Sequence, residues 1–501
     1  MKKICTLLLL WISTMLTAQD FDEKLKMQVR KTAEKIKEFV AIPNDANDRG
    51  DIMRNINWLT KEFTSRGFNT AVVPTDGEPL FFAVRPMIEE LPTILFYMHF
   101  DGQPVDPSKW DQKSPYEVVL KKEENGKWIE KDWTELNENI DYEARLFGRS
   151  VSDDKGPIVM LLAALDLLKQ ENKSIPYNIK VILDGEEEKG SKPLPAAVKK
   201  NEELLAADFL IINDGPVHPS EKATLVYGCR GITTLDITTF GPIAPQHSGH
   251  YGNYAPNPGF QLAQLLASMK DSEGRVLIDG YYDGIVLNEP IKEVLKNVPD
   301  DEKAIQQRLA FKTPEKVGAN YQESLQFPSL NIRGLSSGWV GDQARTIVPD
   351  KATAAIDIRL VPESDGNRLK SLVKEHIKKQ GFYLTQETPT AEERTKYDRI
   401  VMVKENPVTP PFRTNMENPY ATWAENILSD VHKESPVKIR IMGGTVPTAA
   451  FINTLNIPAV IIPMVNPDNN QHSPNENLKI KQIAYGIHTF YALLSTPLTK
   501  I

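Results

Sequence analysis

Residues 179–191 read IKVILDGEEEKGS, an apolar run that ends in four carboxylates, Asp184, Glu186, Glu187 and Glu188. Adjacent like charges repel, and such a run ordinarily forms a solvated surface turn. The run in front of it (Ile179, Val181, Ile182, Leu183) reads instead as a buried strand. A core strand that releases negative charge at its carboxyl end is what an open α/β sheet requires, because ligands bind just beyond those strand ends.

The same arrangement recurs outward from this stretch. TILFYM (93–98) runs into His99-Phe-Asp101, and FLIIN (209–213) runs into Asp214-Gly215. Strands are expected at Leu80–Val84, Thr93–Met98, Ile179–Leu183, Phe209–Ile212 and Ala459–Met464. Helices are expected at Ile52–Ser65, Pro157–Gln170, Pro195–Leu205 and Ile480–Leu494, with an amphipathic helix from Phe21 to Val40 that stops before Pro43. This alternation predicts an α/β catalytic domain on a mostly parallel sheet. The texture changes near Tyr227, where GITTLDITTF and ATAAIDIRL alternate with helical patterns at 257–269 and 366–379. The simplest organisation is a catalytic domain split into 19–226 and 406–501 around an inserted α+β domain at 227–405. Asn125-Gly126, inside VVLKKEENGKWIEK, predicts an exposed hairpin.

At 501 residues the chain accommodates two domains. Its 41% hydrophobic and 25% charged content is that of a soluble globular protein, and its net charge of −8 excludes a nucleic-acid footprint. Residues 1–18 carry two lysines, an apolar stretch and small residues before Ala18–Gln19, the layout of a secretory signal peptide. That apolar stretch is shorter than the ~20 residues of a spanning helix. The expectation is therefore an exported protein, periplasmic or secreted, with no membrane segment after cleavage. Only Cys229 would then remain, as a buried residue without a disulfide partner.

Two further segments carry candidate ligands: LFGRSVSDDKGP (146–157), with Asp153-Asp154, and PMVNPDNNQHSPNENL (463–478), with His472. Singly, each has an ordinary explanation. A histidine after a strand is commonly structural, and Asp–Asp before a helix commonly caps it. Together they bring His, Asp, Glu, Asp and His to one edge of one sheet. Carboxylates gathered there repel unless divalent cations neutralise them. Imidazole with carboxylate suits zinc, and two histidines among three carboxylates suit a two-metal site. In His99-x-Asp101 both side chains lie on one face, so Asp101 is placed to accept the second ring N–H. Within Glu187–Glu188, one ligand and one neighbouring general base is the economical division.

These residues appear in the order of a known family. His99-Phe-Asp101, Gly148-Arg149-Ser-Val-Ser-Asp153-Asp154-Lys155-Gly156-Pro157, Glu187-Glu188-Lys-Gly190-Ser191, Asp214, His247-Ser-Gly249, Gly443-Gly444-Thr445 and His472-Ser-Pro-Asn475-Glu476 carry the likeness. The chain resembles the co-catalytic zinc peptidases and amidohydrolases that include carnosine dipeptidases, aminoacylase, glutamate carboxypeptidase and succinyl-diaminopimelate desuccinylase. The resemblance implies that His99 and Asp214 hold one metal, Glu188 and His472 the other, and that Asp153 bridges both, with a cis peptide to Asp154. It implies Glu187 as the base that deprotonates a metal-bridging water, the resulting hydroxide attacking an amide carbonyl. Asp101 is implied as the residue behind His99. The metal is expected to be zinc, with manganese and cobalt as alternatives. The 227–405 segment resembles the family's lid and dimerisation domain and implies a homodimer. In it His247 matches a residue that reaches the neighbouring subunit's site, and Thr346 and Arg359 match substrate contacts. Gly444 and Thr445 match a loop that binds the substrate backbone.

Three motifs depart from the family: Gly148-Arg149-Ser150 stands for Gly-Arg-Gly, Gly252-Asn253 for a glycine pair, and Asp184-Gly185 for the dipeptidase-like Glu-Gly. None removes a ligand. Aspartate at position 214 is commoner in dipeptidase- and aminopeptidase-like members, so the expected activity is a di-zinc, dipeptidase-like exopeptidase acting on short peptides. The alternatives are an N-acyl amino acid deacylase using the same metals, and an inactive member that binds peptides.

Overall fold

The five apolar runs all become strands of one eight-stranded sheet. The computed structural model describes residues 2–138 and 140–499, with side chains for 21–137 and 140–499. Met1 and the side chains of the expected signal segment lie outside that set. The backbone from Lys2 belongs to the helix Lys2–Val40. Among the described residues no helix is long and apolar enough to cross a membrane.

The strands are β1 (Asn69–Val73), β2 (Leu80–Val84), β3 (Thr93–His99), β4 (Asn178–Asp184), β5 (Phe209–Ile212), β6 (Thr224–Val226), β7 (Val437–Ile439) and β8 (Ala459–Ile461). Their spatial order is β1-β2-β4-β3-β5-β8-β6-β7. The central four, β4-β3-β5-β8, run parallel. β1-β2, β2-β4 and β8-β6 pair antiparallel, so the sheet is parallel at its centre and mixed at its edges. β3 and β4 are buried along their whole length, as strands covered on both faces must be.

The helix Lys155–Gln170 packs between Lys2–Val40 and Ile480–Ser495, and its residues 155–165 are all buried. Each large apolar side chain so enclosed contributes about 1.5–3 kcal/mol. The helix begins hard against the loop before it. A Cβ at Gly156 would stand 2.1 Å from the Val151 carbonyl oxygen, so only glycine fits there. A second, four-stranded sheet joins Asn477–Lys479, Arg145–Phe147, Val119–Glu124 and Lys127–Lys131. Its last two strands are the expected hairpin, turning at Asn125 and Gly126 with φ of 52° and 75°.

The chain divides into two compact units, Met1–Tyr227 with Thr414–Lys438 and Ala450–Ile501, and Gly228–Arg413 with Ile439–Ala449. The return to the first unit therefore comes at 414 rather than 406, and 439–449 groups with the second unit. Within the second unit a five-stranded sheet has the order Asn331–Ser336, Lys351–Leu360, Gly231–Phe240, Ile400–Glu405, Tyr383–Thr385. Leu235, Ile237, Ile356 and Ile358 pack with Leu262, Leu265, Leu369 and Val373 of the helices Pro258–Met269 and Gly366–Lys379. Period-2 strands and period-3.6 helices thus share one core, as their patterns require.

Candidate active site

In parallel register, His99 at the end of β3 stands opposite Asp184 at the end of β4. His99 Nε2 lies 2.8 Å from Asp153 Oδ1, and its Nδ1 lies 3.3 Å from Asp101 Oδ1. The Asp101 carboxylate also accepts the backbone N–H groups of Glu187 and Glu188, both at 3.0 Å. One fully buried carboxylate thus orients the imidazole and the turn that carries the acidic pair. His472 Nε2 lies 3.0 Å from Asp153 Oδ2 and 3.2 Å from Glu188 Oε2.

Two donor groups result, His99–Asp153–Asp214 and Asp153–Glu188–His472, each with ligand atoms within 4.8 Å of one another. Asp153 belongs to both and turns one oxygen toward each histidine. The Asp153–Asp154 peptide is cis. The ordinary capping explanation for Asp154 does not hold. It precedes the helix Lys155–Gln170 but makes no side-chain cap, and its Oδ2 accepts the His99 N–H at 3.2 Å.

The electrostatics fit a pair of cations. Burial, reinforced by Asp153, pushes Glu188 up to about 7, and burial likewise raises Asp214 to about 6. Burial also lifts Glu187 well above the usual carboxylate range, with Asp214, Asp101 and Glu188 adding to it. The hydrogen bond to Asp153 raises His472 to about 9. Burial pulls His99 down, but Asp101 and Asp153 outweigh it and hold the ring well above its ordinary value. Burial works against the charge of Asp153 too, but its hydrogen bonds with His472 and His99 outweigh burial and keep it ionised. Glu187, Glu188, Asp214 and the two imidazoles therefore hold on to protons, which two divalent cations would displace. The N/O donor set suits zinc-like ions.

Other carboxylates place this site. Asp184 accepts from Tyr97 Oη at 3.2 Å, Ser191 Oγ at 2.5 Å and the Glu186 N–H at 3.0 Å, closing the loop that carries Glu187 and Glu188. Glu186 accepts the Glu78 N–H at 3.1 Å. Gln103 Nε2 donates to Glu188 Oε2 at 2.8 Å. Glu476 is fully buried and accepts from Arg149 Nη1 at 2.7 Å, from the N–H groups of Ser150, Ser152 and Asp153 at 3.0 Å, and from Ser152 Oγ at 2.8 Å. It thereby holds the loop that presents Asp153. The pairing of Asn477 with Phe147 sets these two loops side by side. Sequence reasoning gave Gln103 and Glu476 no role. Glu476 was visible as part of the His472 motif, whereas Gln103 offered only its position two residues past Asp101.

The remaining expected site residues lie in the second unit. There His247 pairs with Ile347, and the Ser248 N–H donates to the Thr346 carbonyl at 3.0 Å, so His247 and Thr346 are neighbours. Arg359 Nη1 donates to Thr445 Oγ1 at 2.7 Å, beside Gly444. His247 is exposed.

The sequence profile of peptidase family M20/M25/M40 matches residues 95–496. The chain belongs to that family. It is 27% identical to the Cys-Gly metallodipeptidase DUG1 of Saccharomyces cerevisiae, over 94% of this chain and 96% of the relative. It is 25% identical to the Beta-Ala-His dipeptidase of Homo sapiens, over 80% of this chain and 74% of the relative. Among solved structures, the M20 family metallo-carboxypeptidase Sso-CP2 from Sulfolobus solfataricus superimposes with a TM-score of 0.74 at 26% identity, over 93% of this chain and 98% of that one. The family and its two-domain α/β architecture were thus both legible beforehand.

Proposed function

We propose that the chain is an exported, metal-dependent dipeptidase that cleaves the amide bond of dipeptides with two zinc ions. The observation that carries this reading is the sharing of Asp153 by two donor groups, with Glu187 on the turn beside them. The names of the relatives, a Cys-Gly metallodipeptidase and a Beta-Ala-His dipeptidase, support the substrate class.

His99, Asp153 and Asp214 would hold one ion, and Asp153, Glu188 and His472 the other. When bound, such ions polarise a carbonyl and acidify water. The chain supplies the rest. Burial makes Glu187 a stronger base than a solvated glutamate, which suits a group that takes a proton from the attacking water and returns it to the leaving amine. Asp101 keeps that turn and the His99 ring in place. Arg359, its planar fork held by Thr445, suits the carboxylate of a peptide substrate.

A homodimer through the second unit belongs to the same reading. The strand Asn331–Ser336 is a sheet edge exposed along its whole length, with Ile332 and Leu335 46% and 62% exposed, and such an edge accommodates a second copy. Export rests on the pattern of residues 1–18. N-terminal sequencing of protein recovered outside the cytoplasm is expected to start near Gln19.

The deciding experiment compares rates on dipeptides, tripeptides and N-acetyl amino acids after loading with zinc, manganese or cobalt. Dipeptides should turn over fastest, and a chelator should abolish turnover. Turnover confined to acylated amino acids would make the chain a deacylase. A metal-loaded protein inert to the whole panel would make it a binding member.

A further inference from the structure

The second unit contains a cavity of about 350 Å³ to which none of the proposed chemistry assigns a role. That is within the ~300–1,000 Å³ range of small-molecule sites. About half of its lining is apolar or aromatic, including Val276, Tyr282, Phe327 and Leu330, with Tyr282 and Phe327 edge to face at 5.5 Å. Arg230 also lines it and is only 7% exposed.

The charged residues around the cavity are not all paired with one another. Lys270 pairs with Glu315 at 2.8 Å and Lys316 with Glu273 at 2.5 Å. Glu302 accepts the Tyr321 N–H at 2.9 Å. Arg230 has no such compensation. Its Nη2 donates to the Phe327 carbonyl at 2.6 Å, its Nε is buried without a hydrogen-bond partner, and among the described residues it makes no ion pair with a carboxylate. Burial, with Arg359 nearby, pulls its pKa down to about 10. A buried guanidinium left this way is costly, and the cost is removed when an anion meets the fork.

We infer that this cavity binds a small monocarboxylate with a compact apolar body, its carboxylate on Arg230 and its apolar part against Tyr282, Phe327 and Leu330. A planar carboxylate matches a single guanidinium fork. A dianion such as phosphate would face Glu302 and Glu315 as well, and the two lysines that also line the cavity, Lys270 and Lys316, are already paired with Glu315 and Glu273.

The test is calorimetric titration of 4-methylpentanoate into the metal-loaded full-length protein, beside 4-methylpentanamide and inorganic phosphate. The carboxylate is expected to bind one site per chain, and the amide and phosphate at least tenfold more weakly. Arg230→Met should reduce that binding at least tenfold. Ala319→Trp, an exposed residue at the cavity wall, should do the same while leaving Arg230 intact, and it carries the test if Arg230→Met does not fold. The inference is overturned if the wild type shows no saturable binding, if the amide or phosphate binds as well as the carboxylate, or if Ala319→Trp binds like the wild type. Because the readout is binding, the result is independent of whether the protein proves to be a dipeptidase.

Discussion

Asp153 shows how a single residue is held in place by another more than three hundred positions away. Glu476 gathers five donors around its carboxylate, and four of them come from the Ser150–Asp153 segment. The fifth, Arg149, is itself buried, so removing Glu476 strands a charge inside the protein. Glu476→Ala should cost about 3–5 kcal/mol of stability. Asp468→Asn, at an ion pair with Arg145 whose carboxylate is 59% exposed, should cost under about 1 kcal/mol. Chemical denaturation of the two variants checks the contrast, and equal losses would contradict it. The candidate metal ligands were readable in the sequence because they follow apolar strands or, for Asp153, stand just before a helix. The hub at Glu476 was not, since it exists only once Arg145–Phe147 pairs with Asn477–Lys479. At two of the departures from the family pattern, Ser150 and Asn253, the backbone keeps φ of 66° and 63°, the left-handed region that glycine enters most easily, which accounts for the glycine the pattern has there.

At the scale of elements, apolar runs located the central strands because both their faces are covered. The edge strand Asn69–Val73 was missed, since it is largely exposed and short. Nor did sequence reasoning reveal that 439–449 groups with the second unit, because so short a connecting segment has no period to read. The helices Pro419–His432 and Ile480–Ser495 meet through His432, whose ring stacks on Tyr485 with centroids 4.5 Å apart and whose Nε2 lies 3.0 Å from Thr489 Oγ1. Burial, helped by His488, pulls His432 down to about 4, and His488 is itself lowered by burial. The folded state therefore keeps the His432 ring neutral, while the unfolded chain protonates near its ordinary value. This pair's contribution is intact above pH ~6.5 and is lost as pH falls toward ~4, by about 3 kcal/mol at most. His432→Gln should flatten the fall in melting temperature across that window. An unchanged slope would show that the ring is not the titrating group.

For the whole molecule, a dimer in which His247 serves a neighbouring site makes a specific demand. His247→Ala and Glu187→Gln subunits, each inactive alone, should regain part of the dipeptidase rate when combined in a heterodimer. A confirmed heterodimer without that recovery would confine each site to one chain. The family and the enzyme class were legible because the candidate ligands gather at the ends of β3, β4 and β5 and in two loops, where residue type alone carries meaning. Substrate side-chain preference depends on contacts that no local pattern encodes.

The central claim is the division of labour between adjacent residues on one turn, Glu187 carrying the proton and Glu188 holding metal. Metal content per chain after dialysis, measured together with dipeptide turnover for Glu187→Gln and Glu188→Ala, tests it most directly. Glu187→Gln should keep two ions per chain and lose about 10²–10⁴-fold in turnover, as removal of a general base does. Glu188→Ala should lose at least one ion. A Glu187→Gln protein that sheds metal, beside a Glu188→Ala protein that retains it, would contradict the assignment.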